Sequence, residues 1–451
     1  MSGATRQPHV AIVGGGYTGL AAAHELTVRG VRTTIFESED EPGGLAGSFE
    51  VAGARLEKFY HHWFRSDVHI LGLIEELGAG DRIVDRPTRT GMYYNKRILR
   101  MSSPLDLLRF EPLPFFDRVR LGLLVLRARR VSDWRELEDK TAAAWLRELA
   151  GERVYRVVWE PLLRGKFGPY ADTISAVWFW NKLKLRGSSR DRSGRESLAY
   201  LRGGFAELAR RIASRIEAGG GQVRTRCPVE RIVLRDGRAV GVEVNGETIE
   251  ADAVLATPAL PVIADLLPGR APDAFTASLR GIDYLANICL VLELDRSLST
   301  TYWLNVADPA FPFVGVIEHT NFEPETSYGG RRIVYLSRYL PVDDPLWSLD
   351  AEAALAFAVP HLTQMFPEFQ RAWVLRHHLW KARYAQPIVV RRYGALIPPH
   401  RTPVPGLWIA SMAQIYPEDR GTNYAVRDGR AIAAELAASL QGGLAADTSG
   451  T

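Results

Sequence analysis

The stretch HVAIVGGGYTGLAAAHELTVRGVRTTIFE, residues 9–37, decides how the chain folds. HVAIV (9–13) is a short apolar run of the kind buried in a parallel sheet. GGGYTG follows and places Gly14, Gly16 and Gly19 in the GxGxxG spacing. LAAAHELTVRG (20–30) carries small and apolar residues at helical intervals and stops at Gly30. VRTTIFE (31–37) is β-branched and aromatic and ends on an acid. A lone glycine motif says little. Strand, glycines, helix, strand and terminal acid in this order predict a Rossmann-like dinucleotide-binding unit.

Each part has a physical task. Gly14 permits the tight turn, Gly16 lets a pyrophosphate approach the backbone, and Gly19 lets the helix pack closely on the sheet. Unpaired N–H groups and the positive end of the helix dipole receive the phosphate charge. Glu37 is placed to accept hydrogen bonds from ribose hydroxyls. It would repel a 2′-phosphate, which argues against NADP.

The rest of the composition narrows the class. A chain of 451 residues favours two or three domains with well-developed cores. A net charge of 56 − 52 = +4 is too mild to argue for nucleic acid. Arginine far outnumbers lysine among the basic residues, which fits a compositional bias first and anion recognition second. Cys227 and Cys289 form no CxxC spacing, so no disulfide framework or metal set is expected; a reducing, cytoplasmic compartment fits. The opening MSGATRQP has no signal-peptide pattern, and no run approaches the ~20 apolar residues of a membrane span. RVRLGLLVLRARR (118–130) reads as a helix packed within a domain, with peripheral contact to a membrane surface as the alternative.

After Glu37 the chain reads SEDEPGGLAGSF, with a second glycine pair at Gly43–Gly44. Together with the first motif, this stretch resembles the flavoproteins grouped with amine oxidases, protoporphyrinogen oxidases, phytoene desaturases and UDP-galactopyranose mutases. The resemblance implies an α/β fold and non-covalent FAD. Its Rossmann-like FAD-binding domain would be assembled from discontinuous segments, 1–85, 200–265 and 395–451. The inserted α+β substrate domain would comprise a helix-rich part, 86–199, and a strand-rich part, 266–394. By the same resemblance, Gly43, Gly44, Leu45 and Ala46 lie along the pyrophosphate and ribityl chain, and Tyr17, Thr18 and Ser38 join the cofactor set. Val229, on a strand, would touch adenine through its backbone. Many relatives carry Arg just after the glycine pair, where this chain has Leu45 and Ala46.

Later stretches continue the pattern. YLRGGF (200–205) reads as a glycine turn before a helix, and GGQVRTRCPVERIVL and AVGVEVNGETIEADAVLAT alternate like strands. LANICLVLEL (285–294) and RRIVYLSRYL (331–340) are strand-like, and KARYAQPIV (381–389) loosely resembles the strand lining the oxidase active site. RGSSRDRSGRES (186–197) reads as an exposed basic loop, with a mobile lid over an anionic substrate as the alternative. GLWIASMAQIYPEDRGTNYAVRDGRAIAAELAASL (406–440) offers a strand, a loop and a final helix, with Thr422 and Asn423 as caps. In the relatives this helix points its N-terminus at the flavin ring, which adds Gly421, Thr422 and Asn423 to the cofactor set. AVRDG resembles the family's AVRAG; YPEDRGTN departs from it.

FYHHWF (59–64) follows the second glycine pair closely. The resemblance brings the chain back across the flavin face there, which makes Tyr60, His61 and His62 the catalytic candidates. Adjacent side chains on an extended segment point to opposite faces, so His61 and His62 cannot chelate one metal ion, nor can His377 and His378. No metal is expected. The family's chemistry divides: oxidases and desaturases move a hydride from C–N or C–C bonds to flavin N5, whereas the mutases rearrange a sugar nucleotide without net redox. Trp134, Trp145, Trp159, Trp178 and Trp180 concentrate in the helix-rich part and suggest a built pocket. An FAD-dependent oxidoreductase acting on a small organic substrate is the expected function, and mutase chemistry is the alternative.

Overall fold

Five short segments drawn from four separate regions of the chain form one parallel sheet. In the computed structural model, which describes residues 6–100, 104–188, 197–267, 269 and 271–448, their order is 222–224, 32–36, 9–13, 253–256 and 407–409. Every residue of His9–Val13 and Ala253–Ala256 is buried, as strands covered on both faces require. Helix Tyr17–Val28 packs between helix Gly204–Ala218 and the last helix, Thr422–Thr448. Two glycines make that packing possible. A Cβ on Gly19 would lie 2.1 Å from the Gly14 carbonyl oxygen, and one on Gly429 would lie 2.5 Å from that of Thr18.

A second sheet has seven strands in the order 374–387, 284–294, 332–340, 315–318, 303–306, 90–94 and 97–100. Its long strand Tyr284–Leu294 pairs antiparallel with Arg332–Leu340 and Val374–Pro387. Thr90–Tyr94 joins it by running parallel to Trp303–Val306. Helix Ala351–Met365 covers one face. A helical layer, including Phe115–Arg129, Ala142–Ala150, Glu160–Phe167 and Ala176–Ser188, comes from residues 104–188.

Some expectations shift. Val229 is not on a strand: Gln222–Arg224 and Arg231–Arg235 flank it, and it lies in the connection between them. That connection leaves the ladder because Cys227 and Arg226 donate their N–H groups to the carbonyls of Glu37 (2.8 Å) and Glu39 (3.0 Å). Strands Ile83–Pro87 and Ser197–Leu201 pair with each other, and the latter also pairs with Trp63–Phe64. The joints drawn at 85/86 and 199/200 therefore cut through strands of one small sheet. Of the expected basic loop 186–197, residues 186–188 end a helix and Ser197 opens a strand. Residues 189–196 lie outside the described residues.

Candidate active site

The first glycine turn and Glu37 meet at the C-terminal edge of the parallel sheet. Gly14 has φ +94°, a conformation that favours glycine, and its N–H donates to the Phe36 carbonyl at 2.9 Å. The Glu37 carboxylate is buried; it accepts from the Gly15 N–H at 2.8 Å, the Glu39 N–H at 2.9 Å and the Ser38 hydroxyl at 3.1 Å. A carboxylate offers about four lone-pair sites, so acceptor capacity remains beyond these three bonds. The second glycine pair stacks on the first turn: Gly43 N–H donates to the Gly15 carbonyl at 2.9 Å, and a Cβ on Gly44 would lie 3.1 Å from the Gly16 Cα. Both glycine turns thus present bare backbone to one place. That cradle, with a buried acid beside it, fits an FAD dinucleotide.

Tyr17 opens the helix that follows the first glycine turn. Its side chain is buried and its hydroxyl donates to the Phe205 carbonyl at 2.7 Å, bracing two helices together. Ser38 acts through Glu37, and Ala46 is buried. Thr18 is half-buried in the first turn of its helix.

A cavity of about 420 Å³ lies where residues 59–64 pass the first turn of the last helix, helices 160–167 and 176–188, and the seven-stranded sheet. Trp159, Phe167, Trp178, Phe179 and Trp303 give it a largely aromatic wall. Leu45, Gly421, Thr422 and Asn423 also line it, whereas Gly14, Gly16, Gly19, Glu37 and Val229 do not. An extended ligand would have to reach from one place to the other.

Tyr60, His61 and His62 all line the cavity, but they engage different walls. His61 packs its ring against Phe205 and places Nδ1 2.6 Å from the Phe59 carbonyl. Since a carbonyl only accepts, Nδ1 carries the hydrogen and Nε2 keeps its lone pair. Burial first, and then the nearby Arg420 charge, push its pKa down to about 4. His62 turns the other way, with Nδ1 3.0 Å from the Tyr302 hydroxyl and its ring edge-on to Trp303. Tyr60 stands edge-on to Trp303, and burial holds its phenol well above the usual range.

The chain's departure YPEDRGTN contains what the sequence reading missed. Asp419 is buried, with Oδ2 2.5 Å from Lys182 Nζ and Oδ1 accepting from Gln386 at 3.3 Å. Although burial opposes its charge, Lys182, Lys166 and Arg420 together hold its carboxyl well below the ordinary carboxylate range. Arg420 donates from Nε to the Gln386 side-chain oxygen (3.2 Å) and from Nη2 to the Tyr339 hydroxyl (2.9 Å). Neither acceptor is a carboxylate, and two of the guanidinium's five N–H donors are thereby used. Lys166 lies over the rings of Trp178 (4.8 Å) and Tyr339 (5.4 Å). The only sequence signal was an acid–base pair immediately before the last helix.

The caps also correct the sequence reading. Gly421, not Thr422, supplies the carbonyl that accepts the first intrahelical bond, from Ala425 N–H at 2.9 Å. Thr422 accepts from the Trp63 indole at 2.9 Å, and Asn423 accepts from the His69 and Ile70 N–H groups, capping helix Val68–Glu76 instead of its own. Thr422 therefore ties the last helix to the FYHHWF segment, and Asn423 ties it to the helix that follows that segment. Its first turn lines the cavity with the helix's positive end.

Residues 17–437 match the model of the flavin containing amine oxidoreductases. A coproporphyrinogen III oxidase of Propionibacterium freudenreichii subsp. freudenreichii is 25% identical over 327 residues, covering 60% of each chain. A 15-cis-phytoene desaturase of Synechococcus elongatus is 28% identical over 320 residues, covering 64% of this chain and 66% of the relative. The chain thus spans about three fifths to two thirds of these relatives' length. Among solved structures, an oxidoreductase from Methanosarcina mazei superposes with TM-score 0.73 at 18% identity over 94% of this chain and 99% of that one. A reduced UDP-galactopyranose mutase shares the fold with TM-score 0.70 at 14% identity, over 96% and 94%.

Proposed function

The chain belongs to the flavin-containing amine oxidoreductase family, whose cofactor is FAD, and from that premise we propose that it oxidises a small organic substrate held in the aromatic cavity beside residues 59–64. Bound FAD supplies a two-electron acceptor for a hydride equivalent from a C–N or C–C bond. The two glycine turns and the N-terminus of helix Tyr17–Val28 hold its pyrophosphate, and Glu37 takes its ribose hydroxyls with the acceptor capacity left to it. Gly421, Thr422 and Asn423 would hold its ring end, and the positive end of the last helix there would favour negative charge. The attachment is non-covalent: Cys289 is buried in the seven-stranded sheet and Cys227 lies on the connection beside Glu37.

The observation that carries this reading is that two histidines with different partners line one cavity that also reaches Leu45 and the last helix. His61, depressed to about 4, is neutral near pH 7 and offers Nε2 as a hydrogen-bond acceptor. His62, paired with Tyr302, takes or returns the substrate proton. Arg420 directs its remaining N–H donors to an electron-rich group of the substrate, and the aromatic wall excludes water. Division into an FAD-binding part (1–85, 200–265, 395–451) and a substrate part (86–199, 266–394) is the organisation we propose, with joints adjusted around the two strands they cut. A cytoplasmic setting belongs to the same reading.

Anaerobic mixing with candidate substrates tests it: the oxidised flavin band should bleach without added reductant. Activity that appears only after chemical reduction, with a product isomeric to its substrate, would establish mutase chemistry instead. Glu37→Ala should weaken FAD retention by about 1.5–3 kcal/mol, the scale of charge-assisted hydrogen bonds. Equal FAD affinity in that variant, measured by reconstitution of the apoprotein, would show that the acid serves only the turn at Gly15.

A further inference from the structure

We propose that the face formed by helices Pro104–Leu108 and Phe115–Arg129 docks peripherally on an anionic lipid surface. The longer helix buries Asp117, Leu121, Leu124 and Ala128, whose spacing of four, three and four puts them on one side of a 3.6-residue helix. The opposite side of such a helix is normally polar. Here it is apolar: Phe115 is 61% exposed, Phe116 78%, Leu123 40% and Leu126 53%. Leu105 (54%) and Leu108 (47%) on the neighbouring helix extend the same face. Apolar surface gathered in this way, rather than scattered singly, marks a contact.

Charge selects the partner. Residues 97–130 hold eight arginines against Asp106, Glu111 and Asp117, a balance of 8 − 3 = +5. The whole chain carries +4, so everything outside this segment sums to −1. On the helix, Arg120 and Arg127 border the apolar stripe on one side and Arg118 and Arg129 on the other. Two copies meeting through this face would bring like charges together around a drying contact, which opposes self-association. A surface of anionic headgroups neutralises the arginines while the phenylalanines enter the acyl boundary. The contact is peripheral, since among the described residues no helix is long and apolar enough to cross a membrane. This inference does not depend on the redox reading.

Co-sedimentation of the full, FAD-loaded chain with vesicles tests it. Binding is expected to phosphatidylcholine mixed with phosphatidylglycerol, to be weaker to phosphatidylcholine alone, and to fall as salt rises. The F115S/F116S double variant should lose binding at least about tenfold with its flavin spectrum and melting temperature unchanged, because both side chains are exposed. R120Q/R127Q should retain the apolar contact but lose most of the preference for the anionic vesicles. No binding to either vesicle at low salt overturns the proposal, as does binding that the phenylalanine variant leaves intact. Concentration-dependent self-association abolished by F115S/F116S overturns it in favour of a second copy.

Discussion

Replacing His62 by Gln lowers turnover per bound FAD by about 10²–10⁴-fold, the range spanned by a positioned acid–base group, while FAD content and folding stay normal. Gln retains a polar side chain beside Tyr302 and Trp303, so the wall survives and only proton transfer is lost. His61→Gln is expected to behave differently. Its ring is neutral, locked to the Phe59 carbonyl and packed on Phe205, so this variant loses stability and keeps a near-normal rate per flavin. Stopped-flow reduction of both variants decides between them. A large rate loss in His61→Gln with none in His62→Gln would reverse the assignment; near-wild-type rates in both would leave the segment as wall.

Asp419→Asn is expected to lower stability at pH 7 by about 2–4 kcal/mol. Breaking a buried ion pair costs on the order of 3–5 kcal/mol because it strands the partner charge. The figure is reduced here because the Lys182 side chain is 35% exposed and water screens it. The pH dependence has a definite sign. A carboxyl held below its ordinary range contributes stability that is present above the unfolded-state pKa of about 3.9 and is lost as pH falls below it. Denaturation of wild type and variant at pH 7 and near pH 3 should therefore show a gap that narrows in acid. Adding Lys182→Met to the variant should recover part of the loss. A gap that stays constant with pH, or a double variant no better than the single, would remove Asp419 from this role.

How much could be read in advance follows from how local each feature is. The βαβ unit was legible because its parts lie within residues 9–37 and its glycines are steric requirements: Gly19 has no room for a Cβ against Gly14. The long strands at 284–294 and 332–340 were legible from composition alone. Val229 was misplaced because alternation continued across a segment that backbone bonds to Glu37 and Glu39 pull out of the ladder. Thr422 and Asn423 had the right chemistry for caps, but they serve Trp63 and another helix, which spacing along one helix cannot reveal. The Asp419–Lys182–Gln386–Arg420 cluster joins a loop, a helix and a strand. Its members carry no mutual signal until the fold brings them together.

The central claim is that two glycine turns, Glu37 and the last helix hold FAD beside FYHHWF. Its most direct test is the visible spectrum of the protein as purified, followed by heat or acid denaturation and identification of what is released. A yellow protein with flavin absorbance, releasing FAD in near one-to-one amount, is the expected result. A colourless protein that neither releases flavin nor takes up added FAD would contradict it.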